Sequence, residues 1–388
     1  MNILIIGGQF QNKGAYLMVM TVIKEIRERD KEVNIVFSNY LELPKTFKEY
    51  NIKLLKTPLL HVGFQNKQFK RYLNLGPIVN YYKSFTKGQV SLKDIDIIID
   101  IAGFAYGDLW GLNPIINLNY LLDRLQKYHV KYIALPQAFG PFEKEGMKDE
   151  MSNVIKKSEL IFARDRISKS YLDELAGENS NKIKSAPDIT LSIENTEKEL
   201  KSNEKYCCLV PNVRMLDKGD DAWKDEYVTT LVNIGKYLIS QNIKVKILVH
   251  DTTSGDEKIA NEIISNIDSP ICNIIKIEDP IEIKSLISKS MFLVGSRFHS
   301  LASALSCNIP SVGMGWSHKY QMLFEDYGMD LYVFEKPDKE KIMQSIKTLV
   351  NEESNQEIKE QLLEKNKIIK TKNSKMWEDV FSIIRKGF

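Results

Sequence analysis

Short apolar runs alternate with helix-like segments along most of the chain. In the first half, runs typical of buried strands are followed by segments in which apolar residues recur every three or four positions. The predicted strands are 2–6, 33–38, 95–101, 130–135 and 161–164, and the predicted helices are 14–29, 114–128, 147–157 and one ending near 177. Continuous apolar strands separated by helices indicate a parallel sheet that is covered on both faces.

The same alternation restarts after a polar, charge-rich stretch at 194–205, which we interpret as a linker. The strands predicted beyond it are 207–212, 244–250, 273–277, 291–295 and 309–313, and the helices are 222–241, 256–266, 281–289, one from about 299, and the segment 338–386. A second α/β sheet with helices on both faces is therefore expected in this half.

We predict an α/β protein of two Rossmann-like domains, 1–198 and 199–388, with an interdomain cleft. The length of 388 residues fits two domains of ordinary size. The last helix, 375–386, could pack back on the N-terminal domain, since its apolar residues share one face. These residues are Trp377, Phe381 and Ile384.

Composition excludes several classes of protein. The 54 Lys and Arg residues nearly balance the 51 Asp and Glu residues, which disfavours general nucleic-acid binding. The four cysteines show no CxxC spacing, and no His, Cys and carboxylate cluster has metal-ligand spacing, so we expect no metal and no disulfide framework. The first ten residues fit a strand better than a signal peptide, and no apolar run is long enough to span a bilayer. We predict a cytoplasmic protein.

The segment 293–319 carries the strongest chemical pattern. Arg297 and His299 follow an apolar strand at the start of a helix, which is the usual ligand edge of an open α/β sheet. Helix N-terminal N–H groups and a guanidinium favour an anion there, and an imidazole can move a proton near neutral pH. His318 and Lys319 follow the next strand, so the two basic clusters could converge on one anion.

Two turns of the first half are further candidates. The turn 7–15 contains Asn12 and Gly14 at the start of the first helix, where it either contacts an anionic ligand or only connects two elements. The turn 100–111 contains Asp100 and Tyr106 among glycines and aromatic residues, a composition suited to sugar rings and hydroxyl groups. A packed loop is the alternative there.

Three other features carry weaker signals. Gln137 follows the strand at 130–135 and could bind a substrate hydroxyl or phosphate, or simply belong to a structural turn. Arg214 follows the first strand of the second half, where it is either a ligand or a solvated surface residue. The stretch 67–87 mixes cations with aromatic residues, and a solvated helical hairpin is favoured there over peripheral contact with an anionic membrane.

With these residues in view, the chain resembles the polysaccharide pyruvyl transferase family over roughly residues 5–330. The order and spacing of several pieces support this resemblance. The pieces are NKGA at 12–15, DIAGFAYGDLWG at 100–111, LPQAFGPF at 135–142, FARD at 162–165, APDITL at 186–191, GSRFHSLASALSCNIPSVGMGW at 295–316 and SHKY at 317–320.

The resemblance implies a glycosyltransferase-B-like fold and a reaction without a cofactor. The enolpyruvyl unit of phosphoenolpyruvate would pass to a sugar of a polysaccharide or of its lipid-linked precursor, at the inner face of the membrane in the latter case. A pyruvate ketal would form and phosphate would be released. Arg297 would hold the donor, His299 would be the general acid, and Asp100 could accept a proton from the attacking hydroxyl. The other substrate-binding candidates are Arg214, Lys319, His318, Gln137, Asn12, Gly14 and Tyr106.

Two other functions compete with this hypothesis. A nucleotide-sugar-dependent glycosyltransferase shares the fold, but it would be expected to carry a glutamate on the helix that begins near 299, and the sequence HSLASALS has no acid. A non-catalytic protein that binds an anionic glycan is the other alternative. The sequence leaves the acceptor sugar and the oligomeric state open.

Overall fold

The computed structural model describes residues 1–38, 43–44, 47, 50–56, 89–193, 204–251 and 255–385. The segment 67–87 and most of the predicted linker 194–205 lie outside the described residues. The chain forms two compact units. Unit 1 contains Met1–Phe10, Met18–Ile189 and Ser374–Phe388, and unit 2 contains Gln11–Leu17 and Thr190–Asn373.

Unit 1 is built on a parallel sheet of seven strands in the order β3-β2-β1-β4-β5-β6-β7. The strands are β1 Asn2–Ile6, β2 Asn34–Phe37, β3 Ile52–Leu54, β4 Ile97–Asp100, β5 Lys131–Gln137, β6 Leu160–Ala163 and β7 Ile183–Ser185. The helices of the first 189 residues are α1 Lys13–Arg29, α2 Asn113–Gln126, α3 Met147–Lys157 and α4 Arg166–Ala176.

The central strand β4 is buried along its full length, as is typical of a parallel sheet that is covered on both faces. Ile97 to Asp100 in β4 is entirely buried, and Ile3 and Leu4 of β1 pair with it in parallel register. Helix α4 begins where the side chain of Asp165 accepts a hydrogen bond from the N–H of Ser168. The order reverses between β1 and β4, so the carboxyl ends of these two strands mark a switch point.

Unit 2 repeats this architecture with six parallel strands in the order β10-β9-β8-β11-β12-β13. The strands are β8 Tyr206–Val210, β9 Lys244–Leu248, β10 Cys272–Ile275, β11 Phe292–Gly295, β12 Ser311–Met314 and β13 Val333–Phe334. The helices are α5 Arg214–Asp217, α6 Trp223–Ser240, α7 Asp256–Ile267, α8 Pro280–Ser288, α9 Phe298–Ser306, α10 His318–Asp326, α11 Lys339–Val350 and α12 Glu352–Arg385. The switch point of this sheet lies between β8 and β11.

The predicted fold class of two parallel α/β sheets is confirmed, and five of the helices and strands given above were missed. Strands β3 and β7 have three residues each and are only partly buried, and β13 has two residues. Helices α5 and α10, of four and nine residues, were not predicted either. None of the helices in the described part of the chain combines the length and apolar character that a membrane span requires.

The units are divided differently from the predicted domains at two places. Gln11–Leu17 is grouped with unit 2, although we placed it in the domain 1–198, and residues 190–198 also belong to unit 2. Helix α12 is divided, with Ser374–Phe388 in unit 1, and this is the helix end that we expected could pack on the N-terminal domain. Within unit 1, the last turns of α12 bring Asp379 to 2.8 Å from Lys184 and the ring of Phe381 to 5.1 Å from the guanidinium carbon of Arg29.

Candidate active site

The switch point of unit 2 is held by hydrogen bonds that converge on Ser296, directly after β11. The carbonyl oxygen of Ser296 accepts from the amide of Asn212 at 2.7 Å and from the phenol of Tyr320 at 2.8 Å. Tyr227 donates to the Ser296 hydroxyl at 2.8 Å. All four residues are buried, so the backbone that leads into α9 is rigidly placed.

Arg297 is the N-cap of α9, and its guanidinium is paired with carboxylates of its own unit. Its Nε and Nη2 atoms donate to the two oxygens of Asp256 at 2.8 and 2.6 Å, and Nη1 lies 3.4 Å from Asp251. The side chain is 8% exposed. Burial opposes the charge, but Asp256 and Asp251 outweigh it and raise the pKa of Arg297.

The planar fork that we predicted to hold the donor is therefore engaged by Asp256 in this structure. A bidentate pair of this kind fixes the arginine and keeps it charged. Its neighbours give Arg297 a positioning role at the start of α9, and direct donor binding by Arg297 stays a prediction.

His299 is the second residue of α9, and its imidazole rests against backbone. The residue is half-buried and its Nε2 atom is buried. The ring meets that of Phe298 edge-on, with centroids 5.3 Å apart. A β-carbon added to Gly14 would lie 2.2 Å from Nδ1 of His299 and 2.6 Å from its Cγ. The structure thus brings together two predicted site residues that are far apart in sequence.

The first turn of α1 provides this backbone, and Asn12 holds the turn in place. The side-chain oxygen of Asn12 accepts hydrogen bonds from the N–H groups of Gly14 and Ala15, at 3.0 and 3.2 Å. Asn12 also forms an antiparallel bridge with Asp251. Its side-chain oxygen therefore caps a helix, and its predicted contact with substrate stays a prediction.

Lys319 lies among aromatic rings close to this group. Its Nζ is 4.3 Å from the ring centroid of Trp316, 5.4 Å from that of Tyr320 and 5.6 Å from that of Phe298. The ring of Phe298 thus touches both His299 and the ammonium of Lys319. His318 begins α10 one residue earlier and is half-buried. Lys319 of the second basic cluster therefore lies near His299 of the first, and convergence of the two clusters on one anion stays a prediction.

His250 belongs to the same site and was missed as a site residue. It follows β9, is 4% exposed, and its carbonyl oxygen accepts the N–H of Lys13 at 3.3 Å. Burial, together with Arg297, His299 and Lys13, lowers its pKa well below the usual value, so the ring is neutral at neutral pH. Its position after an apolar strand next to β8 was the only sequence signal.

Arg214 is not part of this group in the described contacts. Its Nη1 is 2.5 Å from Asp217 in the next turn of α5, and both side chains are well exposed. Exposed pairs of this kind contribute little to stability. Its predicted role in substrate binding stays a prediction.

The predicted residues of unit 1 form a different kind of cluster around Asp100. One carboxylate oxygen accepts from the phenols of Tyr106 and Tyr132, at 2.6 and 2.7 Å, and the other accepts from the N–H of Ala102 at 2.9 Å. Asp100 is 0% exposed, and burial raises its pKa despite these hydrogen bonds. A closed cluster such as this anchors the turn after β4, and it argues against Asp100 as the base that meets a sugar hydroxyl.

Gln137 is the last residue of β5, and its side-chain amide is buried. The residue is fully buried, and among the described residues neither its amide nitrogen nor its amide oxygen has a hydrogen-bond partner. Buried amides normally find partners, so this side chain is a candidate for contact with a ligand group. Its main-chain oxygen accepts the N–H of Arg164 at 3.0 Å.

Within the ranges that the structure describes, no group of three or more His, Cys, Asp or Glu side chains could hold a metal ion.

Comparison with known sequences decides the family. The family profile of polysaccharide pyruvyl transferases matches residues 12–318, which is more than half of the chain. The chain belongs to the polysaccharide pyruvyl transferase family. The matched region contains both the first turn of α1 and the β11–α9 junction, and it ends at His318. No curated protein sequence is significantly similar to the chain.

This pyruvyl transferase family member shares its fold with nucleotide-sugar enzymes. It is similar to the S. aureus protein MnaA in complex with UDP, with a TM-score of 0.58, 13% identity, and coverage of 93% of this chain and 90% of that one. For the UDP-GlcNAc 2-epimerase of Neisseria meningitidis bound to UDP-GlcNAc, the TM-score is 0.59 and the identity 12%, with coverage of 98% of this chain and 100% of that one. For a glycosyltransferase of Rickettsia africae, the TM-score is 0.59 and the identity 11%, with coverage of 98% of each chain. At these identities the likeness shows the fold alone, which is glycosyltransferase-B-like.

Proposed function

We propose that the protein transfers the enolpyruvyl unit of phosphoenolpyruvate to a sugar and forms a pyruvate ketal with release of phosphate. The observation that carries this proposal is the half-buried His299 at the β11–α9 junction, in a chain of the pyruvyl transferase family. An acid that is fixed at a helix N-terminus, beside cations, suits a small anionic donor that must be protonated.

The proposed chemistry begins with protonation of the donor's methylene carbon by the imidazolium of His299. The carbon that carries the phosphate becomes oxocarbenium-like, and one sugar hydroxyl oxygen forms a bond to it. The carbon–oxygen bond to phosphate then breaks, and a second hydroxyl of the same sugar closes the ketal. Of the two hydroxyl protons, one replaces the proton that His299 donated and the other leaves with phosphate.

Positive charge for the donor would come from Lys319 and from the N-terminus of α9. Lys319 shares the ring of Phe298 with His299, so its ammonium is close to the proposed acid. Arg297 is fixed on Asp256, and it would hold the start of α9 in place and add a charge that persists across the working pH range. His250 is neutral and buried, which prevents a second imidazolium from competing with His299.

We propose that unit 1 serves the acceptor, with Gln137 as its candidate contact. An amide with an unused donor and an unused acceptor suits a hydroxyl, which can accept and donate, better than it suits a phosphate, which mainly accepts. The acceptor would be a sugar of a polysaccharide or of its lipid-linked precursor. The reaction would take place in the cytoplasm, and at the inner face of the membrane for a lipid-linked sugar.

The test is phosphate release from phosphoenolpyruvate in the presence of a panel of sugar acceptors. We expect release that depends on the acceptor, together with a product heavier than the acceptor by one pyruvate less one water. A parallel panel of nucleotide sugars tests the glycosyltransferase alternative, against which the acid-free helix α9 argues. Consumption of a nucleotide sugar, with no phosphate released from phosphoenolpyruvate by any acceptor, would refute the proposal.

A further inference from the structure

The proposed acid His299 lies against a segment that comes from near the start of the chain. Gly14 is the second residue of α1, and Gln11–Leu17 is grouped with unit 2. A β-carbon on Gly14 would lie 2.2, 2.6 and 2.8 Å from Nδ1, Cγ and Cβ of His299. Real β-carbons do not approach side-chain atoms this closely, so only glycine fits beside the imidazole in this position.

Several contacts hold the glycine where it meets the ring. The side chain of Asn12 caps the turn, and the N–H of Lys13 donates to the carbonyl oxygen of His250. The ammonium of Lys13 pairs with Glu278 at 2.7 Å, and Asn12 forms a bridge with Asp251. The first turn of α1 is thus bound to the segments that follow β9 and β10, and its backbone packs against the imidazole at a fixed position.

The other contact of the ring is aromatic. Phe298 meets His299 at an interplanar angle of 86°, and it is itself held against Tyr320 at 5.9 Å. The imidazole therefore has glycine backbone and a fixed phenyl ring as neighbours. Such packing restricts side-chain rotation, and a general acid needs a fixed direction toward the atom that it protonates.

We propose that Gly14 is a positioning residue, which sets the orientation of His299 through the absence of a side chain. The inference rests on the proposed function insofar as His299 is the acid, but the contact itself is independent of the reaction. A methyl group at residue 14 would turn the imidazole away and leave two nearby cations in place. These are Arg297, which precedes α9 and is paired with Asp256, and Lys319, which shares the ring of Phe298 with His299.

The test compares Gly14→Ala with Gly235→Ala, a matched control in the same unit. Gly235 lies in α6, and a β-carbon there would also meet a side-chain atom at 2.2 Å, Cδ1 of Ile267. Both variants therefore add a methyl group to a helix at 2.2 Å from a side-chain atom. This atom is the terminal carbon of Ile267 in the control, whereas Gly14 meets the ring of His299 and also its Cβ at 2.8 Å. We expect Gly14→Ala to lower kcat at least about tenfold relative to Gly235→Ala, with a smaller change in the donor KM. The acidic and basic limbs of its pH profile should also shift, whereas those of the control should not.

The second readout is thermal unfolding, measured with and without His299. Gly14→Ala should lower the unfolding midpoint by a few degrees in the wild-type background, and by clearly less in His299→Ala, where the imidazole is gone. In the His299→Ala background, Gly14→Ala should cause no further loss of kcat. A Gly14→Ala enzyme with kcat and pH profile equal to those of the control overturns the inference, as does an equal fall in midpoint in both backgrounds. If the wild-type protein has no pyruvyl transferase activity, the proposed function fails, and the coupling in unfolding midpoints still decides whether Gly14 orients His299.

Discussion

The two sheets have the same strand order around their centres, but the chain segments that follow their equivalent strands differ in chemistry. At the end of β4 in unit 1, the carboxylate of Asp100 accepts hydrogen bonds from two phenols and a backbone N–H. After β11 of unit 2, the chain presents Arg297 and then a half-buried His299 beside Lys319. Both regions lie where α/β sheets bind ligands.

The difference shows that position at a strand end does not by itself make a group reactive. The hydrogen-bonding oxygens of Asp100 are satisfied within the protein, and its burial removes it from solvent. His299 is half-buried as a residue, its Nε2 atom is buried, and its ring packs against Gly14. Substitutions in the two regions should therefore separate loss of stability from loss of chemistry.

The largest effect is expected for His299→Ala. Turnover should fall about 10²–10⁴-fold because the proton donor is lost, while the folded state persists. Kinetics with phosphoenolpyruvate and the best acceptor measure this, with Ser306→Ala on the last turn of α9 as the control. Turnover equal to that of the control would remove His299 from the mechanism. The residues that follow β11 would then be structural, as Asp100 at the end of β4 is.

Asp100→Ala should show the opposite pattern. We expect a loss of about 2–3 kcal/mol in the free energy of unfolding, because two buried phenols and one N–H lose their acceptor. Tyr106→Phe, which removes one of these hydrogen bonds, should cost about 1 kcal/mol. Denaturant titration measures both, and kcat of the folded Asp100→Ala protein should stay within about threefold of wild type. A large loss of kcat at unchanged stability would restore the role of base that the sequence suggested.

Arg297→Lys tests whether the ion pair with Asp256 holds the start of α9. Lysine cannot donate two parallel hydrogen bonds, so the free energy of unfolding should fall by about 1–3 kcal/mol. Because Asp256→Asn weakens the same pair, the two losses should not add in the double variant. Unchanged stability with a raised donor KM would instead support direct donor binding by Arg297.

His250 predicts a pH dependence of stability. Its pKa is lowered in the folded state, so below the unfolded pKa of about 6.5 the unfolded chain binds a proton that the folded chain does not. Stability should therefore decrease as the pH falls through this range, by up to ~1.4 kcal/mol per pH unit from this residue. His250→Asn should flatten the slope between pH 6.5 and 5. His129→Asn is the control, since His129 is exposed and its φ of 55° suits Asn. Parallel curves for wild type and His250→Asn would contradict this assignment.

The fold could be predicted because buried parallel strands are continuous apolar runs, as in β4 and β11. The short outer strands gave no such run, because β3 and β7 are only partly buried and β13, although buried, has only two residues. His299 and Lys319 could be named as candidate site residues from the sequence because each follows a predicted strand. The partners of the other candidates were not found, since Asp256 lies 41 residues from Arg297 and Tyr132 lies 32 residues from Asp100. Pairings over such separations depend on packing and leave no periodic pattern.

The division of the chain has a practical consequence for dissecting the protein. Unit 2 takes Gln11–Leu17 from near the start of the chain, and unit 1 takes Ser374–Phe388 from the end of α12. A recombinant fragment that begins after residue 198 would contain the imidazole of His299 without the glycine against which it rests. It would also contain the last turns of α12 without the sheet with which they are grouped. Neither half, expressed alone, would contain all the segments of the corresponding unit.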